Sequence, residues 1–135
     1  MHRASITLFI SHAWKYSRAY RTVVKWLDST PGLLWKNTSL PSHDGIEGDD
    51  VVRLRAAITQ QIVEADLVLI IAGMYTAHSE WIAYEVAEAQ RLGKPIIAIA
   101  PRGQKRLPSE IVEAAECVVR WRREQVGEVV LERVR

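Results

Sequence analysis

Glu85 stands where an amphipathic helix should carry a hydrocarbon side chain. It closes the heptapeptide Ser79-Glu80-Trp81-Ile82-Ala83-Tyr84-Glu85, one helical turn beyond a tryptophan and shortly after the most apolar stretch of the chain, residues 67–72. A helix that opens near Ser79 and advances about 100° per residue builds its apolar arc from Trp81, Ile82, Val86, Ala89 and Leu92. Glu85 falls inside that arc, between Trp81 and Ala89, whereas Glu80 and Glu88 fall on its polar flank or beyond it. A carboxylate on a core-facing edge costs stability unless it is partnered or used. Glu85 is therefore a candidate for chemistry. A two-carboxylate hydrolase site with Asp44 is open to it, although nothing in the spacing requires that pairing.

The other reactive residue types narrow the field. His2, His12, His43 and His78 form no ligand pair on a helix face, so no metal site is expected. Gly45-Ile46-Glu47-Gly48 matches neither the P-loop nor the dinucleotide fingerprint, so a nucleotide would have to be held by stacking and isolated backbone donors. Ser11 and His12 stand where a phosphoacceptor pocket would want paired carboxylates.

The elements that must position these residues are short apolar runs alternating with amphipathic segments. Strands are expected over residues 6–10, 33–36, 67–72, 96–100 and 117–119. Helices are expected over 16–27, after Asp49 or Asp50, from Ser79 to Leu92, over 109–115 and around Val126, Val129, Val130 and Val134. Tyr16, Tyr20, Val23, Val24 and Leu27 mark the core face of the first helix. Val51, Leu54, Ile58, Ile62 and Ala65 mark that of the second. Residues 67–72 and 96–100 do not alternate, as befits strands covered on both faces of a parallel sheet. Gly93-Lys94-Pro95 should end the third helix sharply. Together these give one α/β domain over residues 1–135, an open five-stranded parallel sheet of flavodoxin-like type with helices on both faces.

In such sheets the ligand crevice lies outside the carboxyl ends of the strands. The segments delivered there are Ser11-His12-Ala13-Trp14, residues 37–50, residues 73–79 and residues 101–105, with Glu85 approaching from the side. Residues 37–50, rich in turn formers (Pro41, Ser42, His43, Asp44, Gly45, Gly48), are long for a connection in so small a domain, which favours a functional role.

Composition excludes several classes. The net charge of +2 is weak, and the densest basic cluster, Arg120, Arg122 and Arg123 with Arg133 and Arg135 nearby, reads as a solvated face, so no nucleic-acid partner is expected. Cys117 is the only cysteine, which rules out a disulfide framework; in Cys117-Val118-Val119 it is expected as a small buried core residue. No apolar run approaches the length of a membrane span. Met1-His2-Arg3-Ala4-Ser5 enters a strand almost at once, leaving no room for a signal peptide, so a cytoplasmic protein without membrane partners is expected.

In order along the chain, four pieces resemble TIR and TIR-like domains, in particular the bacterial TIR-like proteins of the Thoeris anti-phage system. They are Phe9-Ile10-Ser11-His12 ending the first strand, the loop after Trp35-Lys36-Asn37, the strand Leu67-Val68-Leu69-Ile70-Ile71-Ala72, and Ser79-x-Trp81-x-x-x-Glu85. The resemblance runs from about residue 5 to residue 120. It implies an enzyme, an NAD+ nucleosidase of ADP-ribosyl-cyclase-like kind, that takes NAD+ as substrate, needs no cofactor and cleaves the bond between nicotinamide and ribose. By the same resemblance Glu85 matches the catalytic glutamate and Trp81 borders the nicotinamide-ribose pocket. Ser11, His12, Ala13 and Trp14 match the dinucleotide-contacting loop, and residues 37–50, with His43 and Asp44, match the loop that gates the site. Tyr75 is placed with the substrate-binding residues on the third strand's exit. Lys15 departs from the pattern, since many TIR domains carry an acidic residue there.

The implied chemistry suits the residue. Loss of nicotinamide leaves an oxocarbenium-like ribose, as in glycoside hydrolysis, and a carboxylate beneath that ring stabilises the charge. The acceptor then sets the product: ADP-ribose with water, a cyclic ADP-ribose isomer with an adenine nitrogen, or a conjugate with another nucleophile. Thoeris-like partners follow from the resemblance: a separate effector protein reached through the product nucleotide, a phage-derived trigger, and a homo-oligomer. Two other classes fit the same outline, a non-catalytic TIR-like interaction module and a nucleoside deoxyribosyltransferase-like enzyme. The first has no use for the cost of Glu85. The second usually wants further acids in its loops, where Asp44 is the only obvious one.

Overall fold

The computed structural model describes residues 4–11, 17–39, 49–72, 75–101 and 107–134. Within them strands and helices alternate as β1 (Ala4–Ile10), α1 (Ser17–Asp28), β2 (Leu33–Asn37), α2 (Asp49–Glu64), β3 (Leu67–Ile71), α3 (Tyr75–Arg91), β4 (Ile96–Ile99), α4 (Ser109–Ala114), β5 (Cys117–Val119) and α5 (Arg123–Glu132). The strands form one sheet of order β2-β1-β3-β4-β5, every neighbouring pair parallel. Parallel neighbours cannot be joined by tight hairpins, which is why a helix intervenes each time.

The chain steps one way from β1 to β2 and the other way from β3 onward. With right-handed crossovers that reversal puts α1 on one face and α2 to α4 on the other. The contacts agree: α1 packs on α5, α2 on α3, and α3 on α4. The reversal also makes the carboxyl ends of β1 and β3 the switch point where open sheets of this kind leave a crevice.

Burial follows the expected patterning. β3 and β4 are buried throughout, and Val23 and Leu27 of α1, Ile58 and Ile62 of α2, and Ile82, Val86 and Ala89 of α3 are buried in the same core. Pro31-Gly32 forms the turn into β2, with Gly32 at φ +81 and Leu33 N–H returning to the Thr30 carbonyl, an arrangement that needs glycine at the third position. α3 stops at Gly93, φ +70, where Gly93 N–H bonds to Gln90 O and Lys94 N–H to Ala89 O, the paired bonds of a Schellman cap.

Two expectations are corrected. The third helix opens at Tyr75, one turn before Ser79, so residues 75–79 belong to it rather than to a loop. Cys117 is exposed, and so is Val118 beside it. β5 is the outer strand of the sheet and only three residues long, so it lacks the neighbours on both sides that bury β3 and β4.

Candidate functional site

β1 leads directly into the site. Its last apolar residues, Leu8, Phe9 and Ile10, lie in the core, and the next residue, Ser11, is fully buried as well. Ser11 N–H donates to the Leu69 carbonyl at 2.8 Å, carrying the β1–β3 ladder one step past Ile10. The Ser11 side chain is thereby set at the carboxyl edge, over the switch point.

Glu85 meets it from α3. Among the described residues the buried polar or charged side chains are Ser11, Thr38 and Glu85, and Glu85 is 1% exposed. Its position inside the apolar arc of the helix, expected from the periodicity, is the one observed, with Ile82, Val86 and Ala89 buried around it. Burial pushes the Glu85 carboxyl up to about 8, because the charged form loses its hydration. The nearby Ser11 hydroxyl acts in the opposite direction, favouring the ionised form. Near neutral pH the group is a neutral acid. Trp81 lies one turn earlier on the same face, half-buried and packed against the core.

The flank of α3 that faces α2 is differently equipped. Thr59 of α2 donates its hydroxyl to Glu88 Oε1 at 2.6 Å, and the Tyr84 hydroxyl meets Thr59 Oγ1 at 2.6 Å. Arg91 grips Glu88 with two bonds, Nε to Oε2 at 2.7 Å and Nη2 to Oε1 at 3.1 Å. The Arg91 and Thr59 donors hold the Glu88 carboxyl down at about 2. An ionised Glu88 only accepts, so Thr59 spends its proton there and Tyr84 is the donor to Thr59.

A second group of polar residues, within the expected segment 37–50 but not singled out there one by one, gathers where β2 ends. Thr38, 5% exposed, sends both its N–H (2.9 Å) and its hydroxyl (3.1 Å) to the Leu8 carbonyl. Ser39 Oγ accepts the Ile10 N–H at 2.7 Å. Ser39 N–H in turn donates to Asn37 Oδ1 at 2.8 Å, and Asn37 Nδ2 donates to the Tyr20 hydroxyl at 2.6 Å. The turn-former composition of the stretch is the one signal that could have pointed to them.

Of the expected site residues, the fold brings Ser11, Glu85 and Trp81 to one end of the sheet. Tyr75 is the first residue of α3 rather than part of a preceding loop. His12, Ala13, Trp14, His43 and Asp44 lie outside the described residues. Asn37 belongs to β2, and Asp49 and Asp50 open α2, so the stretch expected as one loop over 37–50 is shorter at both ends. Among the described residues no cluster of three or more His, Cys, Asp and Glu could hold a metal ion, and no helix is long and apolar enough to cross a membrane.

The family described as Thoeris protein ThsB, TIR-like domain, matches residues 9–106, which span Ser11, Trp81 and Glu85. Comparison with curated proteins returns no match. Among solved structures, the chain is similar to the CMP N-glycosidase BcmB of Clostridium botulinum, with a TM-score of 0.54 at 12% identity, covering 92% of this chain and 97% of that one. It is also similar to the diflavin flavoprotein A3 of Nostoc sp., with a TM-score of 0.50 at 11% identity, covering 99% of this chain and 95% of that one. At such identities the likeness is one of fold, and the fold is flavodoxin-like.

Proposed function

We propose that this chain, which belongs to the TIR-like domain family of the Thoeris protein ThsB, cleaves the N-glycosidic bond between nicotinamide and ribose in NAD+, with Glu85 as the charge-stabilising residue. The observation that carries this is the buried Glu85 carboxyl, raised to about 8 and set beside Ser11 at the carboxyl edge of the sheet. A soluble adaptor surface gains nothing from that arrangement, whereas a ribosyl-transfer site does.

The chemistry follows from the environment. As the bond from ribose C1′ to the pyridinium nitrogen breaks, its electron pair goes to nicotinamide, which leaves neutral, and C1′ takes on oxocarbenium character. A positive centre brought against Glu85 favours its ionised form; the carboxyl gives its proton to water as the site opens to admit the ribose, and the carboxylate so formed stabilises the charge once screening by water is weak. Ser11 favours the same ionised form. The acceptor adds to C1′ and gives up its proton: water yields ADP-ribose, an adenine nitrogen a cyclic isomer, another nucleophile a conjugate. With Glu85 almost fully enclosed, a ribose reaches it only when the surrounding side chains move aside.

Trp81 forms the wall of the pocket, and His12, Ala13, Trp14, His43, Asp44 and Tyr75 complete the binding surface. The product serves as a cytoplasmic signal to a separate effector protein in anti-phage defence, released after a phage-derived trigger. The test is incubation of the purified chain with NAD+ and chromatography of the products, beside Glu85→Gln and repeated in extracts of phage-challenged cells. Release of nicotinamide by wild type and not by the variant is expected; equal turnover by both sinks the assignment.

The fold of BcmB, a CMP N-glycosidase, supports a second reading in which the bond cut is that of a simpler nucleotide. The same assay with CMP in place of NAD+ separates the two, since base release from CMP alone favours the second.

A further inference from the structure

We infer, building on the proposed role of Glu85, that Ser39 is a positioning residue: by holding the Ile10 amide it fixes the end of β1, and with it the buried Ser11 side chain in the neighbourhood of Glu85. The strand register shows why a side chain is needed there. β1 and β2 pair from Ala4↔Leu33 to Leu8↔Asn37, and Thr38 N–H adds one more bond to Leu8 O. The next donor on that side is Ile10 N–H, for which a continuing β2 would offer a carbonyl. Instead Ser39 Oγ accepts it at 2.7 Å. The two strands part while the buried amide stays satisfied, as buried donors must be.

On the opposite edge of the strand, the next peptide's donor, Ser11 N–H, is bonded to Leu69 O at 2.8 Å. The Ile10–Ser11 unit is thus held between β3 and Ser39, and the direction of the Ser11 side chain follows from its backbone. Ser39 is itself oriented, through its N–H on Asn37 Oδ1 and through Asn37 Nδ2 on the Tyr20 hydroxyl of α1. A ladder carbonyl moves only with its strand, whereas a serine oxygen lets go with one change of rotamer. Ser39 therefore makes the placement of Ser11 depend on the conformation of the chain as it leaves β2.

The experiment compares wild type, Ser39→Ala and Ser39→Thr by steady-state kinetics on NAD+ and by carbon-13 NMR titration of the Glu85 carboxyl, its signal identified by its loss in Glu85→Gln. Ser39→Ala should lower kcat by about ten- to a hundredfold with KM changed by less than about threefold. It should also move the Glu85 midpoint upward, because a displaced Ser11 hydroxyl no longer favours the ionised form. Ser39→Thr keeps the acceptor oxygen and should restore both. Wild-type kcat and midpoint in Ser39→Ala overturn the inference. So does a loss of rate that only follows the loss of folded protein with the midpoint unmoved, and so does failure of Ser39→Thr to restore either property. The titration needs no substrate. If wild type leaves NAD+ intact both alone and in extracts of phage-challenged cells, the proposed reaction fails, while the midpoint of Ser39→Ala against Ser39→Thr still decides the role of Ser39.

Discussion

Glu85 and Glu88 share one helix and lie less than a turn apart, yet their carboxyl groups sit at about 8 and about 2. Residue type and helical backbone are the same for both. The difference is in what each meets. Glu88 faces α2 and its own last turn, where Arg91 and Thr59 supply donors to both oxygens. Glu85 faces the sheet, where burial dominates and the Ser11 hydroxyl is the group that opposes it. One carboxyl is a structural clasp between α2 and α3, and the other is kept neutral by its burial. Carboxyls whose environments drive their pKa values apart are the usual mark of divided labour.

The sharpest way to break this comparison is exchange of charge for amide at each position. Glu85→Gln should cut NAD+ turnover by about a hundred- to a thousandfold, as loss of a transition-state stabiliser does, while Glu88→Gln should leave turnover within the same order of magnitude. Equal losses in a chromatographic assay would erase the distinction.

Stability against pH is the next lever. The folded-state pKa of Glu85 is raised from 4.5 to about 8, so the folded chain keeps a proton that the unfolded chain releases. The resulting contribution is complete below about 4.5 and is lost as pH climbs through about 8, at up to about 1.4 kcal/mol per pH unit within that window. Denaturant midpoints measured from pH 4 to 9 should fall for wild type and stay flatter for Glu85→Gln, which should be the more stable protein at the alkaline end.

The clasp should give smaller effects of opposite sign. Thr59→Val removes the donor to Glu88 and the acceptor of Tyr84, and should cost about 1–2 kcal/mol in urea unfolding with no shift in the Glu85 titration. Glu88, lowered from 4.5 to about 2, contributes stability that is present above its unfolded value and lost as pH falls through about 2. Glu88→Gln should flatten the acid limb of the stability profile, by less than about 1 kcal/mol given the partial solvent access of the pair.

Glu85 was legible from the chain alone because a 100° period places it among Trp81, Val86 and Ala89 whatever the tertiary structure. The five strands were legible for the same kind of reason, since apolar runs between turn formers need no partner to be seen. The start of α3 was not. Tyr75-Thr76-Ala77-His78 offers no apolar stripe, and the helix there is a continuation that periodicity does not announce. Cys117-Val118-Val119 reads as any buried strand would, and only the strand order reveals that it lies at the edge. The clasp through Thr59 and the anchor through Ser39 were invisible, because each joins residues that are remote in sequence and common in type. Such contacts obey no local pattern.

Because Gly93 alone supplies the left-handed residue that stops α3, the helix has a fixed phase counted back from its cap. One residue inserted between Glu85 and Gly93 would swing the carboxyl about 100° around the axis, out of the crevice and toward the clasp or the solvent. A whole heptad inserted there would return it to within about 20°. Length changes in this segment are therefore not interchangeable, and relatives that keep a working carboxyl should differ here by whole heptads or not at all.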